Sequence, residues 1–155
     1  MQGCLSQFRV NVEGTFWTYG DTIYSPGGVN IPPDVVAHEE QHSRQQEAYQ
    51  GCVHKSSEEP CTEECQKKWG KDAWWRRYLI DPRFRLEQEA EAYGTQYRFF
   101  CENVGDRNKR AIFLHRLAAI LAGPLYQVAV SVQQAKALIL VLSGERKLSD
   151  VAQTT

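Results

Sequence analysis

The strongest constraint on the fold lies between Pro32-Pro33 and Gly51, a stretch without a helix breaker that carries His38 and His42 four residues apart. Asp34 is placed to cap the free amides of a first turn, and Val35 and Val36 begin an apolar face, so a helix is predicted over about 35–50. On that helix the two imidazoles share one face and can grip a single metal ion. Glu39, between them, can reach a water beside that ion and take its proton. The competing reading is a charged helix face, given the neighbouring Glu40, Ser43, Arg44 and Gln45.

The surrounding pattern supplies a context for the pair. Phe8, Val10 and Val12 alternate, Thr15 to Tyr19 is rich in β-branched and aromatic side chains, and Gly20-Asp21 turns the chain into Thr22-Ile23-Tyr24. With a brief extended piece at Val29-Asn30-Ile31, strands are predicted within about 8–31. After a polar loop at 51–62, a helix is expected over 63–79, with a break allowed at Gly70; Trp69, Trp74, Trp75 and Tyr78 form its aromatic side. Asp81-Pro82 precedes a helix over about 84–100, where an interior Gly94 costs roughly 1 kcal/mol and implies close packing. Further helices occupy about 109–142, broken at Gly123-Pro124, with a short one allowed at 125–132. The expected fold is α+β: a small antiparallel N-terminal sheet packed against a predominantly helical body, in one domain over 1–155.

Charge and composition narrow the partners. Eighteen basic and nineteen acidic residues leave a formal net charge of −1, which favours neither a nucleic acid nor an anionic membrane. The most apolar stretch, Ala135 to Ser143, is too short to span a bilayer. The start lacks a basic leader followed by an apolar run, so cytoplasmic synthesis is expected, including that of a phage protein made in its host. The cysteines, Cys4, Cys52, Cys61, Cys65 and Cys101, are odd in number and read first as free thiols. A disulfide from Cys52 to Cys61 or Cys65, and a second zinc site using these residues with His54, are the alternatives.

Two imidazoles leave a zinc ion short of a ligand, since catalytic sites usually offer three protein donors and one open position. His54 falls in a loop, and His115 lies among Phe113, Leu114 and Leu117 and reads as a packed histidine. The acidic run at 87–91 is the better source. Glu89 sits mid-helix with small Ala92 three residues on, which lets two helices approach closely. Glu87 and Glu91 point elsewhere, where one can accept a hydrogen bond from a ligand histidine. Tyr93, Tyr49 and Tyr126 are candidate oxyanion stabilisers, unranked by sequence. The segment from Thr22 to Ser25 is the expected edge for pairing with an extended peptide.

The strand-like residues 15–24, the His-Glu-x-x-His motif at 38–42 and Glu-x-x-Ala-Tyr at 89–93 together resemble the compact glutamate-liganded zincin metallopeptidases, the minigluzincin-like proteins, over about half of the chain. The resemblance implies one catalytic zinc ion held by His38, His42 and Glu89, with Glu39 as general base and a peptide or protein as substrate. The family usually has Asp or Asn where Tyr93 stands. The block beyond residue 100 carries no such likeness, although the whole chain is similar in character to small phage or prophage zincins. The alternative from another class is a catalytically idle, zinc-stabilised structural or interaction module, such as a phage accessory protein. A water-filled fourth position favours the enzyme; a fourth protein ligand, or Glu39 turned away, favours the module. Oligomeric state is not encoded in any of these patterns.

Overall fold

The computed structural model describes residues 15–51 and 62–145. It has a small N-terminal antiparallel sheet packed against a mostly helical body, an α+β arrangement of the zincin type. Strands β1 (Trp17–Tyr19) and β2 (Thr22–Tyr24) pair in register Trp17↔Tyr24, Thr18↔Ile23 and Tyr19↔Thr22. Gly20 takes φ 64°, the positive value needed at the first central position of the tight turn that suits hairpin twist. Helices α1 (Pro33–Ala48), α2 (Glu63–Ile80), α3 (Pro82–Asn103), α4 (Arg107–Leu121) and α5 (Val132–Leu142) follow, with a short 3-10 turn at Pro124–Tyr126 before α5.

Local chemistry sets most of these boundaries. Thr62, Asp81 and Asp106 accept backbone amides at the starts of α2, α3 and α4, and Ser131 and Gln134 form a reciprocal capping box on α5. Helix α1 departs from the expected start. Its N-cap is Pro32 and no side chain caps it; Asp34 instead accepts a hydrogen bond from Gln96 Nε2 at 2.8 Å. A tertiary partner has taken the carboxylate that the local rule assigned to capping. Helix α2 runs unbroken through Gly70, and residues 29–31 form no strand. The apolar 125–132 segment holds only the 3-10 turn and an irregular stretch. Phe8 to Val12, Cys4, Cys52, His54 and Cys61 lie outside the described residues, and with them the disulfide and second-zinc alternatives, while Cys101 is a buried free thiol.

The core forms where α3, α4 and α5 meet. Ala90, Tyr93, Tyr97 and Cys101 lie on one face of α3, and Leu114, Leu117, Ala118 and Leu121 repeat on α4 at helical spacing. Ala135 and Ile139 of α5 complete the cluster. His115 falls off this stripe and is exposed, so the expectation of a packed histidine is corrected. Gly94 marks the crossing of α3 and α5: a Cβ there would meet Leu142 Cβ at 2.8 Å, the close approach that an interior glycine suggested.

The hairpin is fastened to α1 and α2 by side chains. Gln46 donates to Thr18 O at 2.9 Å and accepts from Gly20 N at 2.9 Å, while Ser43 donates to Gly20 O. Trp75 Nε1 also donates to Thr18 O, and Tyr19 Oη donates to Asp72 at 2.8 Å. These contacts fix β1 across the motif helix.

Candidate metal centre

Helix α1 presents His38, Glu39 and His42, and α3, packed against it, presents Glu89. All four are buried, between 5 and 7% exposed. The donor atoms of His38, His42 and Glu89 converge: His38 Nε2 to His42 Nε2 is 3.2 Å, His38 Nε2 to Glu89 Oε2 is 3.5 Å, and His42 Nε2 to Glu89 Oε1 is 3.3 Å. Zinc–ligand bonds of about 2.0–2.1 Å in a tetrahedron put neighbouring donors about 3.3 Å apart. The spacings are close to that edge, with Glu89 meeting the two imidazoles through different oxygens, and one donor atom from each residue lies within 4.8 Å of the others.

Hydrogen bonding fixes which imidazole nitrogens face inward. Gln96 spends its amide on Asp34, so its Oε1 faces His38 Nδ1 at 3.2 Å. Gln45 donates to Gln88 O and Glu91 Oε2, both at 2.9 Å, leaving its Oε1 to accept from His42 Nδ1 at 2.8 Å. Both Nδ1 atoms are thereby protonated in the neutral rings, and both Nε2 lone pairs point at each other and at the Glu89 carboxylate. Three electron-rich atoms facing one point need a cation between them. The donor set fits a metal ion.

Without one, protons perform that service. Burial lowers the His42 pKa, but the charge and hydrogen bond of Glu89 outweigh it and raise it to about 9. Burial works against ionised Glu89, yet His42 and His38 hold it well below the usual carboxylate range.

Two phenols support Glu89 from other segments. Tyr78 of α2 donates to Oε1 at 2.5 Å, and Tyr126 of the 3-10 turn donates to Oε2 at 3.1 Å. Tyr93 donates in turn to Tyr126 at 3.2 Å, while its ring lies edge-on to His38 with centroids 4.6 Å apart. Burial, then the charge of Glu89, pushes the pKa of Tyr78 and Tyr126 well up, so both remain donors. Glu39 stands beside the triangle, its Oε2 accepting from Thr18 Oγ1 at 2.8 Å.

These residues open onto a cavity of about 1000 Å³. Thr15 to Thr18 form one wall, so the strand beside the cavity is β1; the expectation had placed Thr22 to Ser25 there. Trp74, Trp75 and Tyr78 line a second side, and the tryptophans serve both packing and cavity wall. Tyr93 and Tyr126 also line it, whereas Tyr49 packs on Phe84 with centroids 5.7 Å apart, away from the metal triangle.

Sequence reasoning gave Gln45, Gln96, Tyr78 and Thr18 no role at the metal site. The helical spacing carried a signal for two of them: Gln45 follows His42 by three residues and Gln96 follows Glu89 by seven. Glu91 reaches His42 only through Gln45, and Glu87 is exposed. Replacing Gln96 by Leu leaves the His38 Nδ1–H without its acceptor and is expected to weaken zinc binding about 10–100-fold. A competition titration against a chromophoric chelator reads the loss; unchanged affinity would remove Gln96 from the support of the site.

The motif, the third donor and the small sheet together match the class of His-Glu-x-x-His metal sites completed by a glutamate, the gluzincin arrangement. No family model, curated protein or solved structure matches the chain. Among the described residues, no helix is long and apolar enough to cross a membrane.

Proposed function

We propose that this protein is a zinc-dependent peptidase, with the metal held by His38, His42 and Glu89 and with Glu39 as general base. The carrying observation is that a three-residue His-His-Glu donor cluster borders a large cavity, with no fourth His, Cys, Asp or Glu joining the cluster among the described residues. A fourth position left to solvent or substrate suits catalysis better than a structural site does.

A bound zinc ion would supply Lewis acidity to the attacking water and to the scissile carbonyl. The protein's own groups supply the rest. Thr18 holds Glu39 Oε2, leaving Oε1 to take the proton from water and deliver it to the leaving amine. Tyr78 and Tyr126 fix the Glu89 carboxylate. Tyr93, which lines the cavity and bonds only the Tyr126 hydroxyl, is the phenol that can turn to a developing oxyanion without releasing Glu89.

Incubating the zinc-loaded protein with a proteome-derived peptide mixture and reading new termini by mass spectrometry tests this reading. Cleavage that a chelator stops and added zinc restores is expected. Intact peptides, with zinc bound stoichiometrically, would transfer the site to the structural-module reading.

A further inference from the structure

The cavity's remaining wall belongs to α4 and has a different character from the aromatic side. Lys109, Ile112, Arg116 and Ile120 all line it, and steps of three, four and four residues place them on one face of the helix. Helix α4 already buries Leu114, Leu117, Ala118 and Leu121 in the core, so this second face is not needed for packing. Ile112 is 71% exposed, Ile120 45%, and Leu125, which adjoins them in the cavity lining, 44%. Three of the most exposed large apolar side chains among the described residues are therefore gathered on one wall of one cavity. Scattered surface leucines and isoleucines are ordinary; a group beside a candidate reaction centre marks a recognition surface.

The charges on that wall are also uncommitted. Neither Lys109 nor Arg116 forms an ion pair among the described residues, whose non-histidine pairs are Arg44–Glu40 and Arg77–Asp81. The cavity's acidic groups are occupied: Asp34 by Gln96, Glu39 by Thr18, and Glu89 by two histidines and two tyrosines. Arg85, also in the lining, is buried and donates to Tyr78 O and Leu79 O, so the exposed cations that an incoming chain can meet are Lys109 and Arg116 on α4. Along the helix, cation and apolar side chain alternate over twelve residues, whose eleven steps span about 16 Å at 1.5 Å each. That length matches about five residues of extended peptide, whose side chains on one edge recur every second residue at about 6.7 Å.

We propose that the α4 face of Lys109, Ile112, Arg116 and Ile120 is the specificity wall of the cavity, selecting extended peptide segments that carry a bulky apolar side chain with acidic side chains two residues away. The proposal rests on the peptidase reading for its consequence in catalysis, but its binding claim stands apart from turnover. Alternating charge complementarity favours a peptide over a uniformly anionic surface, because a membrane would leave no reason for the wall to lie inside a cavity beside buried donors. Desolvated apolar contacts supply affinity, while the two cations choose among chains of similar hydrophobicity.

The test uses the full-length, zinc-loaded protein carrying Glu39→Gln, which retains bound peptide, and two fluorescein-labelled heptapeptides. One has a central Leu with Glu two residues to either side; the other has Gln in place of both Glu residues. The Glu peptide is expected to bind about tenfold more tightly, an advantage that shrinks with added salt. Lys109→Glu combined with Arg116→Glu, both at exposed positions, should reverse the order, and circular dichroism verifies the fold of the variant. Ile112→Ser should weaken both peptides alike. Equal affinity of the two peptides, or an unchanged order after charge reversal, overturns the proposal. So does preferential binding of the same face to phosphatidylserine vesicles, or a concentration-dependent dimer that Ile112→Ser dissociates. If the Glu peptide binds as expected yet the unmutated zinc protein cleaves neither peptide, the wall stands and the peptidase reading fails.

Discussion

Glu39→Gln is expected to lower peptide hydrolysis by about 10²–10⁴-fold while leaving zinc content and fold intact. The substitution keeps the shape of the side chain and removes its basicity. Thr18 Oγ1 can still donate to the amide oxygen, so the 2.8 Å contact that aims residue 39 survives. Glu39 is not among the three converging donors, so metal affinity has no direct reason to change. Turnover measured on a cleavable peptide, with metal analysis of the same sample, reads both quantities. Wild-type turnover in the zinc-loaded variant would sink the general-base role; loss of zinc would show that Glu39 also supports the metal.

Glu89→Ala is expected to cost the other large effect, a loss of zinc affinity of at least about 100-fold, above the range for outer supporting residues. It removes one donor of three and strands the hydroxyls of Tyr78 and Tyr126 in a buried site. The metal-free protein carries a second signature. With His42 raised from 6.5 to about 9, the pair's stabilisation is fully present on the acid side of 6.5 and fades as pH rises through about 9. With Glu89 depressed below 4.5, its share is present above that value and fades as pH falls toward its lowered folded-state value. Thermal denaturation of chelated protein across pH should show both flanks in the wild type and neither in Glu89→Ala. A variant with wild-type zinc affinity would move the third donor elsewhere.

The parts of this site that could be read from sequence are those whose chemistry is written in contiguous residues. His38, Glu39 and His42 share one helix, and an uninterrupted stretch between breakers was enough to orient them. Glu89 was legible because it sits mid-helix with small Ala92 three residues on, in the Glu-x-x-Ala-Tyr pattern that resembles a third-ligand motif, and α3 does present Glu89 inward with Glu87 exposed. The supporting residues were hidden because their roles arise from convergence across the chain. Tyr78 becomes a partner of Glu89 only when α2 packs near α3, and Thr18 meets Glu39 across twenty-one residues. Asp34 illustrates the opposite error: capping preference is local, and Gln96, sixty-two residues away, competed for the same oxygen. His115 was misjudged by helical phase, since Leu114 and Leu117 fix the buried side and leave residue 115 facing solvent. Which hairpin strand borders the cavity depended on how Ser43, Gln46 and Trp75 grip the turn, an outcome no strand pattern encodes.

The carboxylate of Glu89 is also a junction between segments distant in sequence. Histidines from α1, a phenol from α2 and a phenol from the 3-10 turn all meet this one side chain of α3. Fluctuations that open any of these segments must break a bond at the same point. Local opening, ordinarily graded from one element to the next, is therefore tied here into a shared event. Loading the cluster with a cation would slow backbone exchange in regions far apart along the chain, so the metal centre doubles as the clasp that makes those regions unfold together.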